Sequence, residues 1–342
     1  TCRNCESTCP SGVQYGHLLD IGRKIVDAKV PRPTPEKALR WALKEGLPSP
    51  LFAPAMKMGQ AVRGLLPAAL QAKVPAKQEA GAWPTRSHAR KVLMLAGCVQ
   101  PSMMPNINAA TARVLDAAGI QTVIAPKAGC CGAVKFHLND QDGGRAEMRA
   151  NIDAWWPMIA SGEVEALVMN ASGCGVTVRE YGHFLKDEPA YAAKAQRIGE
   201  LTRDLSELLP AIVAALRQSR PERVPGPPAG DAGAGRHLAF HPPCSLQHGQ
   251  QLRGGVEQHL AAFGFKVQVA RSESHLCCGS AGTYSVLNPD LSHQLRDRKL
   301  GHLGELEPDV IVSANIGCIT HLQSGTPTPV RHWVEVLDEH LR

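Results

Sequence analysis

Two sets of four cysteines repeat along this chain of 342 residues. Each set contains an adjacent pair followed by glycine, with one cysteine before the pair and one after it. The sets are Cys98, Cys130, Cys131, Cys174 and Cys244, Cys277, Cys278, Cys318. Equivalent cysteines are offset by 146, 147, 147 and 144 residues, and this near-constant spacing indicates an internal duplication. Four thiols per copy is the number that a tetrahedral zinc ion or an iron–sulfur cluster uses.

A disulfide framework is a poor explanation for the eleven cysteines. The chain is large, the count is odd, and adjacent cysteines bridge poorly. Clustered cysteines of this kind indicate metal thiolates in a reducing compartment, so we expect a cytoplasmic protein. No run approaches the 18 or so apolar residues that a membrane helix needs. Any membrane contact is therefore expected to be peripheral, on the cytoplasmic face of the inner membrane, or through a partner.

Composition excludes few other classes. Hydrophobic residues make up 44% of the chain and charged residues 20%, as in ordinary soluble domains. The formal net charge of +6 is spread along the chain, which favours a solvated basic surface over a nucleic-acid site.

Short apolar runs predict three strands in each copy, at 92–96, 120–125 and 165–170 and at 237–240, 265–270 and 309–314. Helical patterns lie between and beyond them, at 106–118, 140–160, 190–218, 253–263, 289–303 and 333–341. Every cysteine of the two sets follows the end of a predicted strand, where open α/β sheets place their ligands. The sequence therefore predicts an α/β protein of two pseudo-symmetric repeats, 91–218 and 236–342, joined by a Pro- and Gly-rich linker at 219–235.

The first residues follow the pattern C-x2-C-x3-C-P, through Cys2, Cys5, Cys9 and Pro10. These are the last three cysteines of the bacterial ferredoxin run, whose first cysteine would fall two positions before Thr1. We therefore expect residues 1–30 to be the C-terminal part of a helical, ferredoxin-like [4Fe–4S] domain that begins upstream. A zinc knuckle is the alternative, and the proline disfavours it. Residues 31–90, rich in proline, are predicted to form a helical connector.

The residues alone leave the nature of the two cysteine sites open. Iron–sulfur clusters and zinc both accept four sulfurs, and the neighbouring ferredoxin-like run favours clusters because two redox centres make an electron path. A reversible dithiol is disfavoured because two further thiols accompany each pair. Nearby histidines could ligate a metal or support a sulfur, and the complete thiol sets favour the supporting role. They are His137, His241, His275 and His321.

Other catalytic signatures are missing from the sequence. It contains no P-loop, no G-x-G-x-x-G after a strand, no G-x-S-x-G and no H-E-x-x-H. We therefore assign no catalytic residue and expect the chain to conduct electrons while a partner oxidises the substrate.

The two C-x31/32-C-C-G sets resemble the cysteine-rich (CCG) domain family. That family includes components of heterodisulfide reductase and of anaerobic glycerol-3-phosphate dehydrogenase, lactate-utilisation proteins and the iron–sulfur subunits of glycolate oxidase (glycolate dehydrogenase). Residues 2–16, the segment Leu-Ala-Gly-Cys-Val-Gln-Pro at 95–101, and residues 313–323 are most similar to the last group.

The resemblance implies an iron–sulfur component of a glycolate dehydrogenase, in which a flavin (FAD) subunit oxidises glycolate to glyoxylate and electrons pass towards the membrane quinone pool. It also implies that Cys2 and Cys5 ligate one [4Fe–4S] cluster and Cys9 another. Lactate or glycerol-3-phosphate is the alternative substrate, and a zinc-stabilised docking scaffold is the alternative without redox chemistry.

The chain departs from the family pattern at one position in each copy. Complete CCG motifs end in C-x2-C and so have five cysteines, whereas Ala171 and Asn315 stand at the earlier position here. Each site thus has four thiols, compatible with an ordinary [4Fe–4S] cluster or with zinc.

Overall fold

A computed structural model describes residues 2–71, 73–228 and 236–342. Residues 229–235 of the predicted linker lie outside this described part. Within these ranges the chain forms eight strands arranged in two four-stranded parallel sheets. They are β1 (Arg90–Met94), β2 (Ile120–Val123), β3 (Ala166–Met169) and β4 (Thr202–Asp204), then β5 (His237–His241), β6 (Lys266–Val269), β7 (Val310–Ser313) and β8 (Val330–His332).

Helices precede, connect and cover the strands. The N-terminal residues 2–30, called the head below, and the predicted connector at 31–90 contain five helices in the described ranges. They are α1 (Asn4–Thr8), α2 (Tyr15–Lys29), α3 (Thr34–Gly46), α4 (Phe52–Ala61) and α5 (Ala68–Gln71). The first repeat adds α6 (Gln100–Met103), α7 (Pro105–Ala117), α8 (Ala133–His137), α9 (Gln141–Ala160), α10 (Ser172–Arg179), α11 (Tyr181–Phe184), α12 (Ala192–Leu201) and α13 (Leu209–Ser219). The second adds α14 (Gly255–Ala261), α15 (Tyr284–Leu287), α16 (Pro289–Gly304), α17 (Ile316–Gln323) and α18 (Trp333–Leu341).

Shorter helical turns complete the connections. Three are 3₁₀ turns, at Arg63–Leu65, Leu205–Leu208 and Pro221–Arg223, and a π-helical turn follows Cys244 at Ser245–Gly249. No helix in the described ranges is long and apolar enough to span a bilayer.

Both sheets have the same strand order, which explains where ligands can collect. The orders are β2-β1-β3-β4 and β6-β5-β7-β8, with all neighbours parallel. In each sheet the second strand (β2 or β6) lies on one side of the first strand (β1 or β5), and the third strand (β3 or β7) lies on its other side. The direction in which strands are added therefore reverses at β1 and at β5. Ligands in such sheets bind at the carboxyl ends of the strands, at this point of reversal.

The predicted α/β class and the two repeats are confirmed, and all six predicted strands are present with shifts of at most two residues at their ends. The short edge strands β4 and β8 were missed. Each is three residues long and contains charged or polar side chains, so neither shows an apolar run. The helical pattern at 190–218 is divided by β4 into α12 and α13.

One hydrophobic core joins the two repeats. It contains Val92 and Ile120 of the first sheet together with Phe240 and Val312 of the second, and α7, α13 and α18 contribute to it. A second cluster, around Trp155, fills the opposite face of the first sheet. The repeats are therefore packed as one body.

Hydrogen bonds from the edge strands add to this packing. The last residue of β4, Asp204, caps the following 3₁₀ turn and accepts a hydrogen bond from Gln250 Nε2 of the second repeat at 3.2 Å. The last residue of β8, His332, caps α18 through Nδ1 and donates through Nε2 to the Asn170 carbonyl of the first repeat at 2.9 Å. Each repeat therefore holds the other at an equivalent place.

The glycine of each CCG motif is required by the backbone. Gly132 has φ +91° and Gly279 has φ +89°, a left-handed region that side chains rarely occupy. A Cβ on Gly132 would lie 2.7 Å from the carbonyl oxygen of Gly144 in α9, and one on Gly279 would meet the carbonyl of Ser292 in α16. The absence of a side chain at each glycine therefore lets the vicinal cysteines lie close to the helix that follows, α9 or α16.

We predict that Gly279→Ala and Gly132→Ala each lower the free energy of unfolding by about 2 kcal/mol or more, because the left-handed conformation alone costs roughly 1–2 kcal/mol. Gly301→Ala in α16 is the control: it has open space around its Cα, and alanine should stabilise the helix by about 0.5–1 kcal/mol. Urea unfolding of the three variants measures this. Equal stability for all three would contradict the assigned role.

A second prediction concerns pH. Complete burial lowers the pKa of His332 to about 3. The unfolded chain would protonate this histidine near its ordinary pKa of about 6.5, so the unfolded state binds more protons below that pH and folding loses stability as pH falls towards 3. From pH 7 to pH 5 the loss is about 2 kcal/mol.

The variant His332→Gln should be less stable at pH 7 but should lose about 2 kcal/mol less than the parent between pH 7 and pH 5, as measured by urea unfolding. The difference between the two proteins removes contributions that they share, including that of Asp204, whose pKa burial raises to about 6. The exposed residue His275 supplies the control substitution His275→Gln. Parallel pH curves for parent and His332→Gln would contradict the assignment.

Candidate metal centres

The strand order brings the first four cysteines to one edge of the first sheet. Cys98 follows β1, the vicinal pair follows β2, and Cys174 lies in the first turn of α10 after β3. Since these three strands are neighbours, the sulfurs meet: Cys130 accepts hydrogen bonds from the thiols of Cys131 and Cys98, and Cys131 also contacts Cys174.

Charge in the first set is concentrated on one sulfur. Hydrogen bonds from Cys131 and Cys98 lower the pKa of Cys130 to about 3. The pKa values of Cys98 and Cys131 are raised because each donates to Cys130 and because both are buried. The set therefore favours a thiolate on Cys130 beside the thiols of Cys98 and Cys131, since several close negative charges are unfavourable in a buried place.

The second set repeats this arrangement. Cys244 follows β5, the pair Cys277-Cys278 follows β6, and Cys318 lies in the first turn of α17 after β7. Hydrogen bonds from Cys244 and Cys278 lower the pKa of Cys277 to about 2. The Gly279 N–H also donates to the Cys277 sulfur at 3.3 Å.

The second set differs from the first in having a buried imidazole beside it. His241, the last residue of β5, is 1% exposed, and its ring faces the sulfur of Cys318 and has no oxygen or nitrogen partner in the described part of the chain. A ring nitrogen of His241 and the sulfurs of Cys278 and Cys318 lie within 4.8 Å of one another. Cys278 and then His241 lower the pKa of Cys318 to about 5.

The helices that follow the strands provide further charge differences. Glu147 of α9 contacts Cys130, and burial followed by the negative charge of Cys130 raises its pKa to about 8. In the second repeat Lys299 of α16 is 2% exposed and lies in the field of Cys244 and Cys278. Its equivalent is Asn151, since both lie seven residues after the glycine-contacting residues Gly144 and Ser292. Lys299 thus places a basic side chain beside the second set, whereas the first set has Glu147, which pairs with Lys135 at 3.4 Å.

The two sets are close neighbours across the junction of the repeats. Asn315 Nδ2 donates to the Cys318 sulfur at 3.6 Å, while its Oδ1 accepts from the Gly173 N–H, next to Cys174, at 3.4 Å. The hydroxyls of Ser172 and Ser245, which lie beside the two sets, are 2.8 Å apart. A single asparagine side chain, at the position of the missing fifth cysteine, therefore links the two sites.

The head contacts both repeats, the first through Glu180 and the second through His248. Arg3 forms a double hydrogen bond with Glu180, and Ser7 Oγ lies 2.9 Å from His248 Nδ1 in the π-helical turn after Cys244. Cys2 adds to the negative field around Cys244. Cys5 is exposed in α1, and backbone N–H groups of Val13 and Ser11 lower the pKa of Cys9.

The four predicted candidate histidines have different surroundings, and only His241 belongs to a sulfur group among the described residues. His275 is exposed, His137 pairs with Asp20 at 3.7 Å, and His321 binds Ser292 at 3.0 Å. The sequence reasoning did not single out Glu147 and Lys299. The one sequence feature that could have indicated them is their position on the helices α9 and α16, which follow the vicinal cysteine pairs.

The donor chemistry fits a thiophilic metal centre in both places. Each set offers four sulfurs at a strand edge, with thiolate already favoured on Cys130 and Cys277. The pKa of Cys318 is lowered as well, whereas those of Cys98, Cys131 and Cys244 are raised, and a zinc ion or an iron–sulfur centre would offset the repulsion that opposes their ionisation. The helix N-terminal turns that carry Cys174 and Cys318 favour negative sulfur as well.

Comparison with known proteins identifies the family. The model of the cysteine-rich domain family CCG matches residues 92–179 and 238–323, so it contains all eight cysteines of the two sets. The chain is 51% identical to the glycolate oxidase iron–sulfur subunit of Escherichia coli (strain K12) over 346 residues, covering 100% of this chain and 81% of that protein.

More distant relatives agree with this result. The probable glycolate oxidase iron–sulfur subunit of Bacillus subtilis (strain 168) is 28% identical over 95% of this chain and 76% of its own. Lactate utilization protein A of Bacillus licheniformis is 26% identical over 72% of this chain and 99% of its own. The chain therefore belongs to the CCG cysteine-rich domain family and, within it, to the glycolate oxidase iron–sulfur subunits.

Proposed function

We propose that the chain is the iron–sulfur electron-transfer subunit of a glycolate dehydrogenase complex. The observation that carries the proposal is the 51% identity to the E. coli glycolate oxidase iron–sulfur subunit across this entire chain, which contains both cysteine sets. A flavin (FAD) subunit would oxidise glycolate to glyoxylate, and the electrons would leave through this chain towards the quinone pool. Bound iron–sulfur centres would supply the one-electron chemistry.

The residues of the chain suit this role in three ways. Cys2, Cys5 and Cys9 would ligate clusters of a ferredoxin-like head, and Cys2 lies in the electrostatic range of Cys244. The two CCG sets would hold one centre each, with Cys98, Cys130, Cys131 and Cys174 in the first and Cys244, Cys277, Cys278 and Cys318 in the second. Asn315 connects those sites through its hydrogen bonds. The order head, second set, first set would thus form a continuous path.

Lactate is a second candidate substrate, because several relatives at 21–27% identity are lactate utilization proteins. The lower identity makes glycolate the preferred choice. Zinc in both sets, with no reducible centre, would instead indicate a docking scaffold for the flavin subunit.

We predict that Cys278→Ser removes metal from the second set and spares the first, while Cys131→Ser has the opposite effect. Cys278 is 1% exposed and contacts both Cys277 and Cys318, so a serine would leave the site with three sulfurs. Iron, zinc and acid-labile sulfide per chain, with EPR of the anaerobically purified, full-length protein, measure the loss. Unchanged metal in both variants would contradict ligation by these residues.

The substrate is tested on the complex. Co-purified with its flavin subunit, the protein should support quinone-linked oxidation of glycolate faster than that of lactate or glycerol-3-phosphate. The Cys278→Ser complex should retain oxidation of glycolate by an artificial acceptor that takes electrons directly from the flavin, while quinone reduction is lost. Activity on lactate with none on glycolate would overturn the substrate assignment.

A further inference from the structure

The second cysteine set has a fifth potential donor that the first set lacks. His241 ends β5 three residues before Cys244, and the first repeat has Leu95 three residues before Cys98. Both residues are buried, at 1% and 3% exposure, so both are fixed in place. The duplication has therefore placed an aliphatic side chain at one site and an imidazole at the other.

The position of the His241 ring is not explained by ordinary packing. A buried polar group without a partner costs free energy, and buried polar atoms are nearly always hydrogen-bonded. The backbone of His241 is satisfied, since its carbonyl accepts from Ser313 Oγ at 2.9 Å, whereas its ring has no oxygen or nitrogen partner among the described residues and faces the sulfur of Cys318. A buried imidazole that faces sulfurs of the ligand type is placed as a metal ligand would be.

The geometry supplies a place for that cation. Three donor atoms that lie within 4.8 Å of one another share a point within about 2.8 Å of each, and metal–sulfur and metal–imidazole bonds are about 2.3 and 2.0–2.1 Å long. Movements of roughly half an ångström would thus bring His241, Cys278 and Cys318 to bonding distance of one ion. Cys277 contacts Cys278, one of the three residues of this group.

We propose that His241 is a metal ligand of the second set, so that the two centres of this chain are chemically different: sulfur-only in the first repeat, mixed sulfur and imidazole in the second. The inference rests on the proposed metal binding of the second repeat. The ligand is a thiophilic transition-metal centre, either iron of a cluster or a zinc ion. His241 supplies the fifth donor at the site where Asn315 replaces the family's additional cysteine.

The test uses the full-length protein, purified anaerobically after labelling of all histidines with ¹⁵N. If the second centre is iron, pulsed EPR of the dithionite-reduced protein should show one strong ¹⁵N hyperfine coupling of directly bonded size. If it is zinc, exchange with ¹¹³Cd should give a one-bond ¹¹³Cd–¹⁵N coupling in the NMR spectrum. Metal analysis of the same sample shows whether iron or zinc is bound and therefore which of the two experiments applies.

Three variants locate the nitrogen. His241→Leu, which installs the side chain of the first repeat, should abolish the coupling and release the second metal to a chelator at least 10-fold faster. His275→Leu, an exposed histidine two residues before Cys277, should change neither. His241→Cys should lose the nitrogen signal but retain the metal, because a thiolate replaces the donor, and it also checks that position 241 tolerates substitution.

The outcomes separate this inference from the proposed function. Metal in the second set without nitrogen coupling, or coupling that persists in His241→Leu, would overturn the inference and leave the proposed function standing. A second set that binds no metal at all would overturn both.

Discussion

Repulsion among buried sulfurs is the interaction on which this structure depends. In each repeat successive cysteines of the set contact one another at one sheet edge, and the pKa values of Cys130, Cys277 and Cys318 are lowered there. Full ionisation of four such groups requires a cation among them. The fold then serves to hold the sulfurs close in spite of that repulsion, through neighbouring parallel strands and a left-handed glycine pinned on a helix.

The duplication has kept this arrangement and varied what surrounds it. The sheets share one strand order, and Asp204 and His332 join the repeats at equivalent places. Beside the first set lies the carboxyl group of Glu147, and beside the second lie the side chains of His241 and Lys299. If the two sets hold iron–sulfur centres as proposed, these different neighbours would give the two centres different reduction potentials.

The sequence was sufficient for the α/β class, the two repeats and six of the strands, because buried parallel strands are apolar runs and the cysteines mark their ends. It was insufficient for β4 and β8, whose three residues carry no such run. The contact between the repeats could not be predicted from the sequence either, because Asn315 and Gly173, which form a hydrogen bond across it, are 142 residues apart in the chain. The histidines near the cysteines could be named in advance, but burial and the position beside the sulfurs of Cys278 and Cys318, which the sequence does not reveal, distinguish His241 from His275.

The central claim is that this chain holds two metal centres, one at each strand edge. Anomalous diffraction from crystals of the anaerobically purified, full-length protein, collected at the iron and zinc absorption edges, tests it most directly. We predict two separate anomalous peaks in the region of residues 91–342, one within bonding distance of Cys130 and Cys131 and one within bonding distance of Cys277 and Cys278. Ordered protein with no anomalous peak at either pair would contradict the account.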